Sequence, residues 1–319
     1  MKWQKLGRIF DPTNHKLNFN CNNFAQSPQT LVFDDFVRVY FSTRVSDQSC
    51  KFLSQIAYVD FDKSFSNIIG NSNHQVIALG KSGAFDEHGI FPINPLRVNK
   101  KIIAYTCGWS RRVSVSVETS TGLAESKDDG KTFFKNNDGP VLTSSLKEPM
   151  LVGDSFVISE SDMFHMWYIY GKHWKTTPGN DQPERVYKIA YANSLNGVDW
   201  VKQEGVQIIT DILGDDECQA LPTVIKIGET YHMYFCYRQA TDFRTNPERG
   251  YRLGYAFSTN LINWKRADEL KGIDVSSDGW DSEMMCYPHI FQVDNQVYLL
   301  YNGNQFGKYG FGLAKLIDS

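Results

Sequence analysis

Residues 279–304 read GWDSEMMCYPHIFQVDNQVYLLYNGN, and the rest of the sequence is organised around the pattern in this stretch. It holds an acidic cluster, a proline, a short apolar run, a polar turn at Asp294-Asn295 and an aromatic run. Two β-rich runs joined by turn residues predict a β-hairpin. Pro288 fits the first residue of the first strand, where the ladder needs no backbone donor.

The same hairpin unit recurs four more times, at 26–44, 86–109, 148–174 and 217–238. Repeats at this scale indicate a propeller or a solenoid. Between the hairpins lies a second repeated signature, in which a β-rich run is followed by turn residues such as Asp129-Gly130 and then by an aromatic residue. These turn residues supply the left-handed backbone of a tight hairpin. Each unit is therefore predicted to contain four strands, and five units nearly fill the sequence.

The two ends of the sequence predict how the units close into a ring. Trp3-Gln4-Lys5 matches the fourth strands that begin at Trp200 and Trp264, whereas residues 312–316 match a third strand. The predicted fold is thus all-β: a five-bladed β-propeller, one domain over 1–319, whose N-terminal strand completes the last blade. Such closure removes exposed sheet edges.

Composition narrows the function classes. The 319 residues carry a net charge of −3, which gives no reason to expect a nucleic-acid partner. The six cysteines are scattered without a CxxC pair, so we expect reduced core thiols, no metal and no cofactor. No apolar run reaches the length of a signal peptide core or a membrane span, so we expect a cytoplasmic protein. The oligomeric state stays open.

Propeller topology predicts where the functional site lies. The start of the innermost strand and the end of the second strand share one face, so the residues there surround one mouth. Crowded carboxylates raise one another's pKa, which suits acid–base chemistry. The candidate catalytic residues are Asp86, Glu148, Glu217, Asp281 and Glu283. The candidate substrate-binding residues are Gln26, Arg44, Trp109, His173, Trp174, Arg238, Tyr287 and Asn302. For any single strand-initiating acid, a turn cap is the alternative interpretation.

Several motifs carry a family resemblance over the whole sequence. They lie at 25–28, 85–92, 237–238, 279–283, 287–288, 301–304 and 310–314. With them the protein resembles the five-bladed β-propeller glycosidases of families 32, 43, 62, 68 and 130. It is most similar to a glycosyl-hydrolase-like branch associated with polysaccharide biosynthesis. The resemblance implies a saccharide ligand and a pair of catalytic carboxylates.

The resemblance also implies roles for individual acids. In family 43, acids just before the proline of blades one, three and four carry the chemistry. Here Glu148 directly precedes Pro149, and Glu217, five residues before its proline, is the leading candidate for general acid. Blade one has Ser27 at the position of the base. The base or nucleophile is therefore expected to be Asp86, Glu148, Asp281 or Glu283, and Asp86 is favoured.

Three functions remain open from the sequence. Basic residues in the loops after the second strands have two interpretations, an ordinary solvated rim or contacts to an anionic saccharide. The first function is a glycoside hydrolase acting on a bacterial-type saccharide. The second is a phosphorylase or transglycosylase on the same scaffold. The third is a carbohydrate-binding propeller without catalysis.

Overall fold

The computed structural model describes residues 1–17, 21, 23–177, 179 and 182–318. Its strands group into five four-stranded blades. Blade one holds β2 (Gln26–Val32), β3 (Phe36–Ser46), β4 (Phe52–Asp62) and β5 (Ile68–Asn71). Blade two holds β6 (Gly89–Val98), β7 (Lys101–Arg111), β8 (Val117–Ser126) and β9 (Phe134–Lys135). Blade three holds β10 (Val152–Glu160), β11 (Met163–Lys175), β12 (Glu184–Ser194) and β13 (Val201–Lys202). Blade four holds β14 (Glu217–Ile227), β15 (Thr230–Gln239), β16 (Arg252–Ser258) and β17 (Lys265–Arg266). Blade five holds β18 (Cys286–Val293), β19 (Gln296–Asn302), β20 (Phe311–Asp318) and β1 (Lys2–Phe10).

The helical segments in the described ranges are short 3₁₀ turns at Pro12–Asn14, Pro247–Arg249, Asp268–Leu270 and Asn304–Gly307. None of these is long or apolar enough to cross a membrane. The innermost strands contact one another in the order β2, β6, β10, β14 and β18, and β18 in turn contacts β2. This arrangement confirms the predicted propeller.

The N-terminal strand completes the last blade, as predicted. β1 pairs antiparallel with β20, with Trp3 opposite Leu316 and Lys5 opposite Ala314. The buried Trp3 ring packs edge-on against Tyr234 of blade four, and its indole Nε1 donates a hydrogen bond of 2.8 Å to the Tyr234 hydroxyl. A single strand therefore supplies both the missing hydrogen-bond ladder and a joint to the neighbouring blade.

The same aromatic joint recurs between successive blades. In blades two to five, an aromatic ring near the start of the fourth strand meets an aromatic ring from the second strand of the preceding blade at a steep angle. The pairs are Phe133 with Tyr40, Trp200 with Tyr105, Trp264 with Trp167, and Trp3 with Tyr234. Edge-to-face packing of large rings stabilises such an interface beyond the area that it buries. The tryptophans of the repeated signature are thus joints between blades.

Every innermost strand carries a β-bulge, and the bulges lie at corresponding positions. The register shifts fall after Gln26, Ile90, Gly153, Ala220 and Cys286. In four blades the bulge contains a proline, which is tolerated there because the ladder is already interrupted. Pro288 is therefore the third residue of β18 and lies in its bulge, so the expectation that it begins the strand was wrong.

Deleting residues 1–10 is expected to lower the melting temperature by about 10 °C or more, or to prevent folding. The deletion leaves β20 as an open edge and removes the Trp3 joint. Calorimetry or circular dichroism would measure the transition. Leu6→Ala, which truncates an exposed side chain on the same strand, is the matched control and should change it little. An unchanged transition in the deletion variant would contradict the closure argument.

Candidate functional site

A cavity of about 320 Å³ lies where the bulges of the innermost strands converge. All five blades contribute to its wall. The lining residues are Gln26, Arg44, Phe52, Ser54, Phe91, Cys107, Trp109, Val117, Thr119, Leu151, Asp154, Ile169, Arg185, Tyr187, Ala220, Tyr251 and Tyr287. Most of these residues lie on strands that the ring holds in place, and Leu151 and Tyr251 directly precede strands.

Asp154 is the one acidic residue among these lining residues. It lies in the bulge of β10 with a left-handed backbone, φ 50°, and is 9% exposed. Burial raises the pKa of its carboxyl group from 3.8 to about 7, although Arg185, the Cys107 thiol and the Leu221 amide favour the carboxylate. A carboxyl group that titrates near neutral pH can exchange a proton with a ligand.

The thiol of Cys107 is a neutral neighbour of this carboxyl group. Burial, reinforced by the charge of Asp154, raises the pKa of Cys107, so the thiol is protonated and can donate to the carboxylate. The contact also explains the glycine before Asp154. A Cβ atom on Gly153 would lie 2.5 Å from the Cys107 sulfur. Glycine thus lets blade two approach blade three closely at the site.

Two arginines give the cavity a positive character. The Nε of Arg44 donates to the Gln26 side-chain oxygen at 3.1 Å, and its guanidinium lies 4.0 Å from the Phe24 ring centroid. Burial, with a contribution from the nearby charge of Arg244, lowers the pKa of Arg44. Neither Arg44 nor Arg185 forms a close ion pair with a carboxylate in the described part of the protein. Both therefore keep hydrogen-bonding capacity for an anionic or hydroxylated ligand.

Aromatic side chains form the remaining wall. Trp109 is half-buried and stacks with His88, with ring centroids 5.9 Å apart. Phe52 is 53% exposed at the rim. Deeper in the cavity, Phe91 and Tyr287 meet edge to face at 5.3 Å. Flat apolar faces beside polar groups suit a sugar ring, which has an apolar face and a polar edge.

Tyr187 and Tyr251 form a hydroxyl pair in the wall, with their oxygens 2.7 Å apart. Burial raises the pKa of both side chains, so both hydroxyls are protonated. Behind them, the buried Arg238 donates from Nη2 to the Tyr187 hydroxyl at 3.0 Å. Its guanidinium carbon lies 3.5 Å from the centroid of the Phe243 ring.

All five predicted catalytic acids lie outside this lining, and four of them share a different arrangement. Each is buried and forms an ion pair with a basic residue on the fourth strand of its own blade, an arrangement that we call a blade clasp. The clasps are Asp86 with Lys135 (2.6 Å), Glu148 with Lys202 (2.8 Å), Glu217 with Arg266 (2.6 Å) and Asp281 with Lys5 (2.6 Å).

The position of the clasps follows from the path of the backbone. Each acid precedes the bulge of its innermost strand by four to six residues. Glu217 is in β14 itself, and at about 3.3 Å per extended residue its four-residue separation places it roughly 13 Å along the backbone from the bulge. Its two oxygens also accept hydrogen bonds from the Ile212 and Leu213 amides and from the Gln219 side chain.

The fifth predicted acid, Glu283, is exposed, and its described hydrogen bonds are made by its backbone: its amide donates to Asn304 and its carbonyl accepts from Arg252. The catalytic roles assigned to the five acids stay predictions. What the structure shows is that the four clasp acids are already engaged by protein groups.

Half of the eight predicted binding residues line the cavity, and the other half do not. The four that line it are Gln26, Arg44, Trp109 and Tyr287. His173 Nε2 is 3.1 Å from Asp216, and Trp174 packs against the core. Arg238 lies behind the tyrosine pair. Asn302 is fully buried and joins blade five to blade one through hydrogen bonds with the Ser27 amide and the Ala25 carbonyl.

Sequence reasoning missed Asp154, Arg185, Tyr187 and Tyr251. It placed the first strand of blade three at Glu148-Pro149, whereas β10 begins at Val152. A signal was present in the spacing. Asp154 precedes the turn at Ser161 by seven residues, as Leu221 precedes Gly228 and Tyr287 precedes Asp294. The bulge of blade three has no proline to mark it.

In the described part of the protein, no three His, Cys, Asp or Glu side chains are grouped to hold a metal ion. The fold is that of the β-propeller glycoside hydrolases. The structure of BT0996 in an RGII complex matches with a TM-score of 0.73 and 16% identity, covering 98% of this protein and 91% of that one. A thermostable family-43 glycoside hydrolase matches with a TM-score of 0.65 and 13% identity, covering 93% and 91%. The endo-arabinase of Bacteroides thetaiotaomicron matches with a TM-score of 0.61 and 11% identity, covering 98% of each.

Within this fold the protein belongs to the family of the Mycobacterium tuberculosis proteins "Uncharacterized protein MT1551" and "Uncharacterized protein Rv1502". It is 32% identical to each over 318 residues, which cover 99% of its own length and 99% of the relatives. No family model matches the sequence. The sequence similarity thus extends over the whole propeller, including the segments that carry the cavity residues.

Glu217→Gln is expected to destabilise the protein by about 3 kcal/mol, because it weakens a fully buried ion pair with Arg266. Urea unfolding followed by circular dichroism would measure the change. Glu283→Gln is the matched control and should change stability by less than about 0.5 kcal/mol, because Glu283 is exposed. Equal stability of the two variants would contradict the clasp.

Asp154→Asn is expected to gain stability relative to wild type as the pH rises. In the folded protein the pKa of Asp154 is raised, so between about pH 4 and 7 the folded state binds one proton more than the unfolded state. Wild-type stability from this group therefore falls as the pH rises through that window and is constant above it. The advantage of the variant should be roughly 2 kcal/mol larger at pH 8 than at pH 5. The exposed Asp138→Asn is the control, and an advantage independent of pH would refute the raised pKa.

Proposed function

We propose that the protein is a glycoside-hydrolase-like enzyme that binds a saccharide in the central cavity and exchanges a proton with it through Asp154. The observation that carries the proposal is the place of Asp154: a lining carboxyl group, in a strand bulge, with a pKa of about 7. The glycoside hydrolase fold adds support. The aromatic faces of Trp109 and Phe52 supply the stacking surface for a sugar ring.

Asp154 suits the role of general acid. Near neutral pH a large fraction of the carboxyl groups is protonated and can protonate the oxygen of a leaving sugar. Arg185 then favours the carboxylate that remains, and the Cys107 thiol can donate to it. Water forms the new bond to the anomeric carbon as the glycosidic bond breaks, and the proton that this water releases returns the Asp154 carboxylate to its acid form.

We further propose that the saccharide is anionic. The lining holds two guanidinium groups, Arg44 and Arg185, and one carboxyl group, so its charge is positive even when Asp154 is ionised. A carboxylate or phosphate on the ligand would pair with a guanidinium group through charge-assisted hydrogen bonds. The same groups suit inorganic phosphate, so phosphorolysis is a variant of this proposal that added phosphate would reveal.

A carbohydrate-binding propeller without catalysis is the second candidate, and a specific observation favours it. Glycosidases of the usual kind use two carboxyl groups about 5–9.5 Å apart across the scissile bond. The described lining provides Asp154 alone, because the clasp acids are engaged elsewhere. A bound saccharide that is never turned over is the outcome expected of this candidate.

Asp154→Asn is expected to lower turnover by about a hundred-fold or more, because it removes the proton-transfer group. The assay is release of reducing sugar from neutral and uronic-acid disaccharides and oligosaccharides, with and without phosphate, because a sugar leaving group needs a proton whereas p-nitrophenolate does not. The wild-type pH profile should break near pH 7. Glu217→Gln is the control, and turnover per folded molecule should stay within a few-fold of wild type.

Turnover that survives Asp154→Asn but is lost in folded Glu217→Gln protein would overturn the assignment. Saturable saccharide binding with no turnover of any glycoside would favour the binding propeller.

A further inference from the structure

The hydroxyl pair of Tyr187 and Tyr251 has one more hydroxyl proton than its mutual contact uses. The two hydroxyls carry two protons, and their single contact of 2.7 Å uses one of them. Arg238 donates into the pair and can accept nothing in return. Whichever tyrosine donates to the other, one hydroxyl proton is left over. No described residue accepts it in a hydrogen bond.

The leftover proton belongs to a side chain in the cavity wall, because both tyrosines line the cavity. Both are buried, with 4% of each residue exposed. A buried hydroxyl without an acceptor costs free energy, and a ligand atom in the cavity can remove that cost. The pair therefore selects a ligand atom that accepts a hydrogen bond.

The charge behind the pair makes this donor stronger. Arg238 is 2% exposed and has no carboxylate partner among the described residues. Its Nη1 donates to the Gln239 and Ala240 carbonyls, its guanidinium stacks on Phe243, and its Nε has no partner. A buried positive charge without a counter-ion polarises the hydrogen bonds that it donates. An anionic acceptor is thus favoured over a neutral one.

We propose that the Tyr187–Tyr251 pair, with Arg238 as its positioning residue, forms an oxyanion-recognition subsite in the cavity wall. It would bind a carboxylate, phosphate or sulfate oxygen, either on a sugar or as a free ion. The inference rests on the proposed function for the choice of cavity and for an anionic ligand. It requires binding only, and no turnover.

The experiment compares affinities for acidic and neutral probes by isothermal titration calorimetry. The probes are galacturonate against galactose, glucose 6-phosphate against glucose, and inorganic phosphate alone. The proteins are wild type, Tyr187→Phe, Tyr251→Phe and the double variant, because either single variant still leaves one hydroxyl proton. Tyr105→Phe is the matched control, since it removes a buried hydroxyl that donates to Gly197 outside the cavity.

Wild type is expected to bind at least one acidic sugar more tightly than its neutral counterpart. The double variant should lose about ten-fold or more of the affinity for the acidic probe while its affinity for the neutral probe changes less than about two-fold. Tyr105→Phe should keep the wild-type preference. Tighter binding of inorganic phosphate than of either acidic sugar would identify a free ion as the occupant.

The subsite is overturned if wild type shows no preference for any acidic probe, or if the double variant keeps the preference. Equal losses for acidic and neutral probes would mean that the tyrosines only shape the wall. The outcome is separate from that of the proposed function. If the protein prefers acidic probes but hydrolyses no glycoside, the enzyme proposal is wrong and the subsite stands. If it hydrolyses neutral glycosides but shows no preference for acidic probes, the enzyme proposal stands and the subsite is wrong.

Discussion

The pairing of β1 with β20 is the constraint on which the rest of the structure depends. The last blade has four strands only because the first strand pairs with the last, and without this pairing β20 would be an unpaired edge. The Trp3 ring then forms the same aromatic joint to its neighbour that three other blades form. With the ring closed, the innermost strands are held side by side, and their bulges meet at one cavity.

The acidic residues of the innermost segments have two roles: the clasp acids form ion pairs within their blades, and Asp154 lines the cavity. Bulge residues Phe91, Asp154 and Tyr287 line the cavity, and in the other two blades Gln26 and Ala220 line it just before the bulge. The clasp acids lie earlier on the same segments and each meets a basic side chain of its own blade. Breaking such a pair leaves an uncompensated buried charge, so these acids act on stability. Asp154, near Arg185 but desolvated, is the acid whose protonation state can change near neutral pH.

The side chains around the cavity give it a net positive charge. Arg44 and Arg185 line it without close ion pairs to described carboxylates, and Arg238 lies behind the tyrosine hydroxyls. Aromatic rings, not acids, offset part of this positive charge, as Phe24 does beneath Arg44 and Phe243 beneath Arg238. Such a wall keeps its hydrogen-bond donors free for a ligand, which is why we infer an anionic saccharide.

Short sequence patterns were enough to predict the repeat, the four-strand blade, the ring closure and four residues that line the cavity, whose role in binding stays a prediction. These features can be predicted locally, because strand alternation, turn residues and the prolines of four bulges are each recognisable from a few neighbouring residues. The tertiary structure alone decided which acid faces the cavity. Glu148 and Asp154 are six residues apart in one blade, and only the pairing register, with its bulge after Gly153, shows that Asp154 takes the inward position. Tyr187 and Arg238 come from strands of different blades, and Tyr251 directly precedes β16. Their contact therefore depends on how the blades pack and has no signature in any single stretch of sequence.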